Sequence, residues 1–204
     1  MKLDWNRFVT DRTIDFIKGE VAAIREGGSE LPVTANLMYD YNGLDYKKFR
    51  DVLDVVSWDN YPDPTDPPAL VAMRHDLMRG LKQGAPFMLM EQTPSVTNWQ
   101  SYNLLKRPGD MRLISYQAVA HGADTVMFFQ MRRSIGACEK FHGAVIDHVG
   151  TENTRVFREV SQLGEELKQL GDTTLDSRTP SKVAMLVDWD NWWALEYSAA
   201  PAVT

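Results

Sequence analysis

The chain has 204 residues, of which 44% are hydrophobic and 25% charged, an ordinary globular composition with enough material for a sizeable core. A formal net charge of -6 and a sequence pI near 5.2 argue against nucleic acid or an anionic membrane as partner, since both require concentrated Lys and Arg. Cys138 is the only cysteine, Met1 opens no basic-then-apolar leader, and no apolar run approaches the roughly 20 residues that span a bilayer, so a soluble chain in a reducing cytoplasm is expected.

The first predicted element is a helix from Asp4 to about Glu26, with Val9, Phe16, Ile17, Ala23 and Ile24 at helical spacing and Gly27-Gly28 as its stop. Val33 to Met38 reads as a short strand, Asp45 to Leu53 as a compact helix with Phe49, Val52 and Leu53 on one face, and Val55 to Trp58 as a second strand. Asp66 and Pro67 form an N-cap and N1 pair for a helix whose apolar stripe is Leu70, Met73, Leu77 and Leu81, with Gly84 suited to its C′ position. Phe87 to Glu91 lacks polar alternation, as expected of a parallel strand covered on both faces.

Pro108 starts a further helix that turns Met111, Ile114 and Ala118 inward and stops near Gly122; Thr125 to Phe129 is the next buried strand. A polar, glycine-bearing loop runs from Gln130 to about Asn153, and loops of that length in compact domains usually carry function or are disordered. Thr154 to Leu170 is a helix with Val156, Val160, Leu163, Leu167 and Leu170 inward, closed by Gly171. Residues 173–181 read as a linker, and Val183 to Val187 as the first strand of a second domain that would occupy 182–204, far short of the roughly 50 residues a domain needs.

Strands alternating with helices imply an α/β fold with a parallel sheet. Four such units make half of a (β/α)8 TIM barrel, which takes about 250 residues when complete; a doubly wound sheet of four or five strands is the alternative, and length favours it. Function classes narrow by absence. The sequence has no G-x-G-x-x-G, no G-x-x-x-x-G-K-[ST] and no G-x-S-x-G, so dinucleotide binding, a P-loop and a serine-hydrolase elbow lack their parts. Cys138 with His142 and His148 is too loosely spaced to point to zinc, and no metal or cofactor is expected.

Parallel sheets of this class bind ligands beyond the carboxyl ends of their strands, so those ends belong together. Glu91 ends the third strand just before a turn and is the candidate nucleophile; a solvated strand-end Glu is the competing reading. The second strand leads into Asp59-Asn60-Tyr61, Trp99 follows Glu91 closely, and the loop after the fourth strand holds Glu139 and His142. A pyranose offers flat C–H faces and directional hydroxyls, which sites meet with aromatic walls, carboxylates and imidazoles. Tyr61, Trp99, Glu139 and His142 suit those tasks, although Trp58 suits the core, Tyr61 and Trp99 could pack under loops, and Glu139 could pair with Lys140 or Arg133.

Three segments then carry a resemblance. Met90-Glu91-Gln92-Thr93-Pro94 with Asn98-Trp99, Ser57-Trp58-Asp59-Asn60-Tyr61-Pro62, and Gly136 to Ala144 with Cys138-Glu139-Lys140-Phe141-His142 resemble the glycoside hydrolase family 42 β-galactosidases in colinear order. The likeness extends to Leu3-Asp4-Trp5-Asn6-Arg7-Phe8 and to Lys182-Val183-Ala184-Met185-Leu186-Val187. It implies a (β/α)8 catalytic barrel, retaining hydrolysis of terminal β-D-galactosides such as lactose or galacto-oligosaccharides, and a following domain with homotrimer contacts.

Carried over by position, Glu91 is the nucleophile at the end of the seventh barrel strand, supported by Tyr61 at the end of the sixth. Trp99 is a wall of the galactose subsite, and Glu139 and His142 bond sugar hydroxyls. The family's acid/base is a Glu preceded by Asn at the end of the fourth strand, and this sequence contains no Asn-Glu dipeptide. Asp40, Asp59 and Glu139 are carboxylates near the site, but none stands where that acid would be. The resemblance therefore implies strands five to eight of a barrel, in residues 1–172, with the nucleophile half of a carboxylate pair and no activity of the chain alone. A split enzyme completed by an N-terminal half and a non-catalytic galactoside-binding remnant remain open alternatives.

Overall fold

The computed structural model describes residues 1–39 and 41–198. Helix α1 (Lys2–Glu26) leads into strand β1 (Asn36–Leu37), a 3-10 helix (Tyr46–Asp51) and strand β2 (Ser57–Asp59). Helix α2 (Pro68–Leu81), strand β3 (Phe87–Glu91), helix α3 (Asp110–Ala120), strand β4 (Ala123–Val126), helix α4 (Arg155–Thr174) and helix α5 (Trp189–Glu196) follow.

The four strands form one parallel sheet in the order β1-β2-β3-β4. A doubly wound sheet reverses its strand order part way across; this one does not, so successive right-handed crossovers stack their helices on one side. Leu37, Trp58, Phe87, Leu89 and Ala123 meet Met78, Leu81 and Ala118 of α2 and α3 in the core. The β3 run alternates in burial: Phe87 and Leu89 are fully covered, whereas Met88 and Met90 are half-buried. The expected cover on both faces is thus complete only on the helix side.

The pairing of β2 with β3 carries an irregularity that matters for the site. Trp58 lies opposite Leu89, but Asp59 lies opposite Glu91, so Met90 is the extra residue of a bulge. An inserted residue shifts the alternation of side chains by one position, which brings Glu91 to the face that Asp59 uses.

Several boundaries depart from the sequence reading for identifiable reasons. In α1 the buried line runs through Asn6, Thr10 and Ile14, with Ile17 packed beside it, while Phe16 and Ile24 are exposed. Thr10 tolerates burial because its hydroxyl donates to Asn6 O at 2.8 Å and accepts from Asp45 N at 3.2 Å. Helix α2 starts at Pro68 with Pro67 as its cap; the Asp66 carboxylate instead accepts from Arg74 Nη1 at 2.6 Å and from Asp63 N at 3.1 Å.

Helix α3 starts at Asp110 rather than Pro108, after Gly109 at φ 88°, a left-handed turn that side chains with a Cβ resist. Strand β4 is regular only over Ala123–Val126, although the amides of Met127 and Phe129 continue to donate to Leu89 O and Gln92 O. Helix α4 starts at Arg155, capped by Thr154 Oγ1 accepting from Phe157 N at 3.2 Å, and runs through the expected stop at Gly171 to Thr174.

The largest departure is at the C-terminal side. No strand forms over 183–187, where Val183 and Leu186 are almost fully exposed and have no neighbouring strand to pair with. Helix α5 follows instead, capped by Asp188 Oδ1 accepting from Asn191 N at 2.8 Å. Its Trp189 and Trp193, one turn apart, enter the same core as the sheet; Trp193 Nε1 donates to Asn42 O, and Tyr46 meets Trp189 edge to face. The expected second-domain segment 199–204, like Asp40, lies outside the described residues.

Candidate active site

The strand ends converge on Glu91. Its Oε2 accepts from the Tyr61 hydroxyl at 2.8 Å, and its Oε1 accepts from Asn36 Nδ2 at 3.0 Å. Both oxygens are therefore held, one by a donor from β1 and one by a donor just past the end of β2, with the carboxylate half-buried. The backbone adds a tie, since Asn60 N donates to Glu91 O at 2.8 Å. Burial, the bond to Glu91 and the nearby negative charges raise the Tyr61 phenol well above its ordinary value, so it stays a proton donor across the physiological range.

A second carboxylate joins through the same amide. Asn36 Nδ2 also donates to Asp59 Oδ1 at 3.0 Å and Oδ2 at 3.1 Å. Burial pushes the Asp59 carboxyl up to about 7; the bond from Asn36 opposes the shift, and the charge of Glu91 adds to it.

The aromatic wall is built around Tyr61. Trp99, 54% exposed, meets it edge to face with ring centroids 5.3 Å apart, so an open indole adjoins the phenol that holds the carboxylate. His142 meets Tyr61 from another side at 5.8 Å and Phe129 at 5.2 Å, both edge to face. At 1% exposure, however, His142 sits behind Tyr61 rather than open to solvent. Its Nδ1 faces Asn98 Oδ1 at 3.2 Å, and burial lowers its basicity against the opposing effects of Glu139 and the Phe129 backbone.

Glu139 is half-buried, its carbonyl accepting from His142 N at 2.9 Å, and its carboxylate lies close enough to act electrostatically on Tyr61 and His142. The pairings that competed for it do not form: Arg133 engages Asp147 and Phe141 O, and Lys140 lies over the Phe141 ring.

Loop-to-loop bonds hold this wall in place. Asn98 Nδ2 donates to Cys138 O at 2.7 Å, and Gln100 Nε2 donates to the carbonyls of Tyr61 and Pro62. Gly143 N donates to Val96 O at 2.7 Å, an approach so close that a Cβ at residue 143 would collide with Ser95 and Val96. A cavity of about 730 Å³ adjoins the other side of Tyr61 between α2, α3 and the 93–107 loop, but its walls are mainly apolar, with Pro62, Leu104, Leu105 and Leu113, and do not include Glu91. Among the described residues no cluster of His, Cys, Asp and Glu has the makings of a metal site. No described helix is long and apolar enough to cross a membrane.

All five sequence-selected residues, Glu91, Tyr61, Trp99, Glu139 and His142, thus fall in one neighbourhood. The sequence reading passed over Asn36 and placed Asp59 only nearby. The strand-end rule that found Glu91 applies equally to Asp59, which ends β2, but not to Asn36, which opens β1.

The fold and cluster define a class: an α/β chain whose parallel strands converge on a held carboxylate beside aromatic side chains, an arrangement suited to hydrolytic chemistry on sugars. Comparison with known proteins gives the family. The family model for glycoside hydrolase family 42, described as beta-galactosidase, matches residues 1–170, and the chain belongs to that family.

Beta-galactosidase BgaP of Planococcus sp. (strain L4) is 59% identical over 204 residues, covering 100% of this chain and 30% of the relative. Beta-galactosidase BglY of Alicyclobacillus acidocaldarius is 51% identical over 207 residues, covering 98% and 30%. Among solved structures, the beta-galactosidase from Bacillus circulans sp. alkalophilus superimposes with a TM-score of 0.95 at 61% identity, over 98% of this chain and 30% of that one. The chain spans about 30% of the length of the curated relatives it matches.

Proposed function

We propose that this chain carries the nucleophile half of a retaining β-galactosidase site. Glu91 is the nucleophile, Tyr61 holds it, Trp99 and Glu139 form the open galactose-binding side, and His142 backs that side from its enclosed place against Tyr61 and Phe129. The observation that carries this reading is the hold on Glu91: a phenol on one oxygen and an amide on the other fix a strand-end carboxylate, and the phenol's ring packs against an open indole. In the first step Glu91 attacks the anomeric carbon, the glycosidic C–O bond breaks, and a galactosyl ester forms; water then releases the sugar.

A retaining enzyme also needs a second carboxyl, about 5 to 5.5 Å from the first, to protonate the departing oxygen and later activate water. We assign that acid/base to the part of the longer relatives that this chain does not span. Residues 1–172 correspond on this reading to barrel strands five to eight, 173–181 to a linker and 182–204 to the approach to a following domain. The substrate is a terminal β-D-galactoside such as lactose or a galacto-oligosaccharide, and the parent enzyme is a homotrimer. The singly wound strand order and the family membership support the barrel assignment.

The 204-residue chain is accordingly expected to leave lactose intact yet to accept galactose from substrates whose leaving group needs no proton. A dinitrophenyl galactoside or 2-deoxy-2-fluorogalactosyl fluoride should add one sugar to Glu91, seen by peptide mass spectrometry. Absence of that adduct on folded chain, or lactose turnover abolished by Glu91→Gln, would overturn the assignment.

A further inference from the structure

We propose that Asp59 is a positioning residue for Glu91, acting through the side-chain amide of Asn36. The inference rests on the reading of Glu91 as nucleophile and goes beyond it by naming what aims that group.

The geometry carries the argument. One nitrogen, Asn36 Nδ2, contacts Glu91 Oε1 and both oxygens of Asp59. A carboxamide has two N–H bonds in a fixed plane. When an oxygen of Asp59 accepts one of them, the other points at Glu91, and the amide is prevented from turning its carbonyl toward the nucleophile. The bulge at Met90 makes this possible, since it brings Asp59 and Glu91 opposite each other on one face. Asn36 itself is exposed and stands on a two-residue strand, so without Asp59 its rotamer would have little to hold it.

The charge of the pair follows from the same contacts. Asp59 faces Asn36 from β1 and Glu91 from β3, with Tyr61 beyond it on the exit of its own strand and Glu139 acting on Tyr61 from the loop after β4. No cation is hydrogen-bonded or ion-paired to Asp59 or Glu91 among the described residues. Two carboxylates sharing one amide resist carrying two charges, so the arrangement favours a protonated Asp59 beside an ionised Glu91. As pH rises past the titration of Asp59, a second negative charge arrives next to the nucleophile, and the single amide must serve both anions.

The reaction that reads this is galactosylation by 2-deoxy-2-fluorogalactosyl fluoride: the anomeric C–F bond breaks, fluoride leaves with the electron pair, and a Glu91 oxygen bonds to the anomeric carbon without proton transfer. Asp59→Ala should slow adduct formation about 10-fold to 100-fold, as expected for a misaligned reacting group. Asp59→Asn, which keeps an acceptor for Asn36 but cannot ionise, should recover most of the rate and lack the decline near pH 7 expected of the wild-type chain. Asn36→Ala should resemble Asp59→Ala, and the double variant should be no slower than either single one, because both remove the same device.

A readout independent of turnover is the Glu91 side-chain carboxyl carbon, followed by NMR from about pH 5 to 9 in carbon-13-labelled protein. In the wild-type chain it should shift as Asp59 titrates; in Asp59→Asn that movement should vanish, with near-ultraviolet circular dichroism unchanged. A Glu91 signal indifferent to Asp59→Asn, or additive losses in Asp59→Ala and Asn36→Ala, overturns the inference. A Glu91 signal that follows Asp59 in a folded chain that forms no adduct defeats the nucleophile reading while upholding the contact between Asp59 and Glu91.

Discussion

The two faces of the sheet treat ionisable groups in opposite ways. Around the exits of β2 and β3, Asp59, Tyr61 and Glu91 are linked with Asn36 of β1 by hydrogen bonds that pass from strand to strand. On the helix side, His75 is fully buried between Trp58, Phe87 and His121, with neither ring nitrogen bonded to any protein group. The first environment keeps a charge available and aimed; the second suppresses charge altogether. The difference is one of partners rather than depth, because a polar group with donors around it can stay ionised, whereas one surrounded by carbon stays neutral.

If this division holds, changes at the exits should alter chemistry with little effect on stability, and changes on the helix side should do the reverse. The largest effect expected is at Glu91. Glu91→Gln removes the attacking oxygen's charge and should lower the rate of adduct formation by at least about 1,000-fold, while the thermal unfolding midpoint moves little. A large loss of stability in that variant would break the comparison. Leu89→Ala, two residues earlier and on the other face, should instead destabilise by about 2–5 kcal/mol in chemical denaturation, since Leu89 is wholly enclosed. Tyr61→Phe comes next: it frees Glu91 Oε2 and should slow adduct formation about 10-fold to 100-fold with the aromatic packing retained.

How much of this was legible beforehand differs between the faces for physical reasons. Glu91 and Tyr61 could be found because a strand-end rule needs only local sequence, an apolar run followed by a polar exit. Asn36 could not be weighed in the same way, because its role depends on β1 lying beside β2 and on a bulge at Met90, and neither is encoded locally. The position of His142 was readable, but its enclosure by Tyr61 and Phe129 was not. Near the C-terminal side, Val183 to Val187 has strand composition but no neighbour to pair with, and strand propensity without a partner makes no strand. Helix α5 had a signal that was overlooked, Trp189 and Trp193 at a spacing of one helical turn.

The smallest effect at neutral pH, and the one that best sharpens the contrast, concerns His75. Burial depresses its basicity from the usual value to about 3, with the nearby His121 and Arg74 acting in the same direction and Asp76 opposing. The neutral ring is thus favoured in the folded state, and between about pH 6.5 and 3 the unfolded chain binds a proton that the folded chain refuses. Stability from this source is complete above about pH 6.5 and is lost as the pH falls, at up to about 1.4 kcal/mol per pH unit. At pH 5 the loss from this one residue is about 2 kcal/mol. His75→Phe, whatever its effect on absolute stability, should remove that loss from the difference measured by denaturation at pH 7.5 and pH 5, whereas Asp59→Asn should deepen it, because the folded chain holds the Asp59 proton over the same window. An unchanged slope in His75→Phe would mean that the histidine finds a proton partner on the helix side after all, and the division between the two faces would fail at its clearest point.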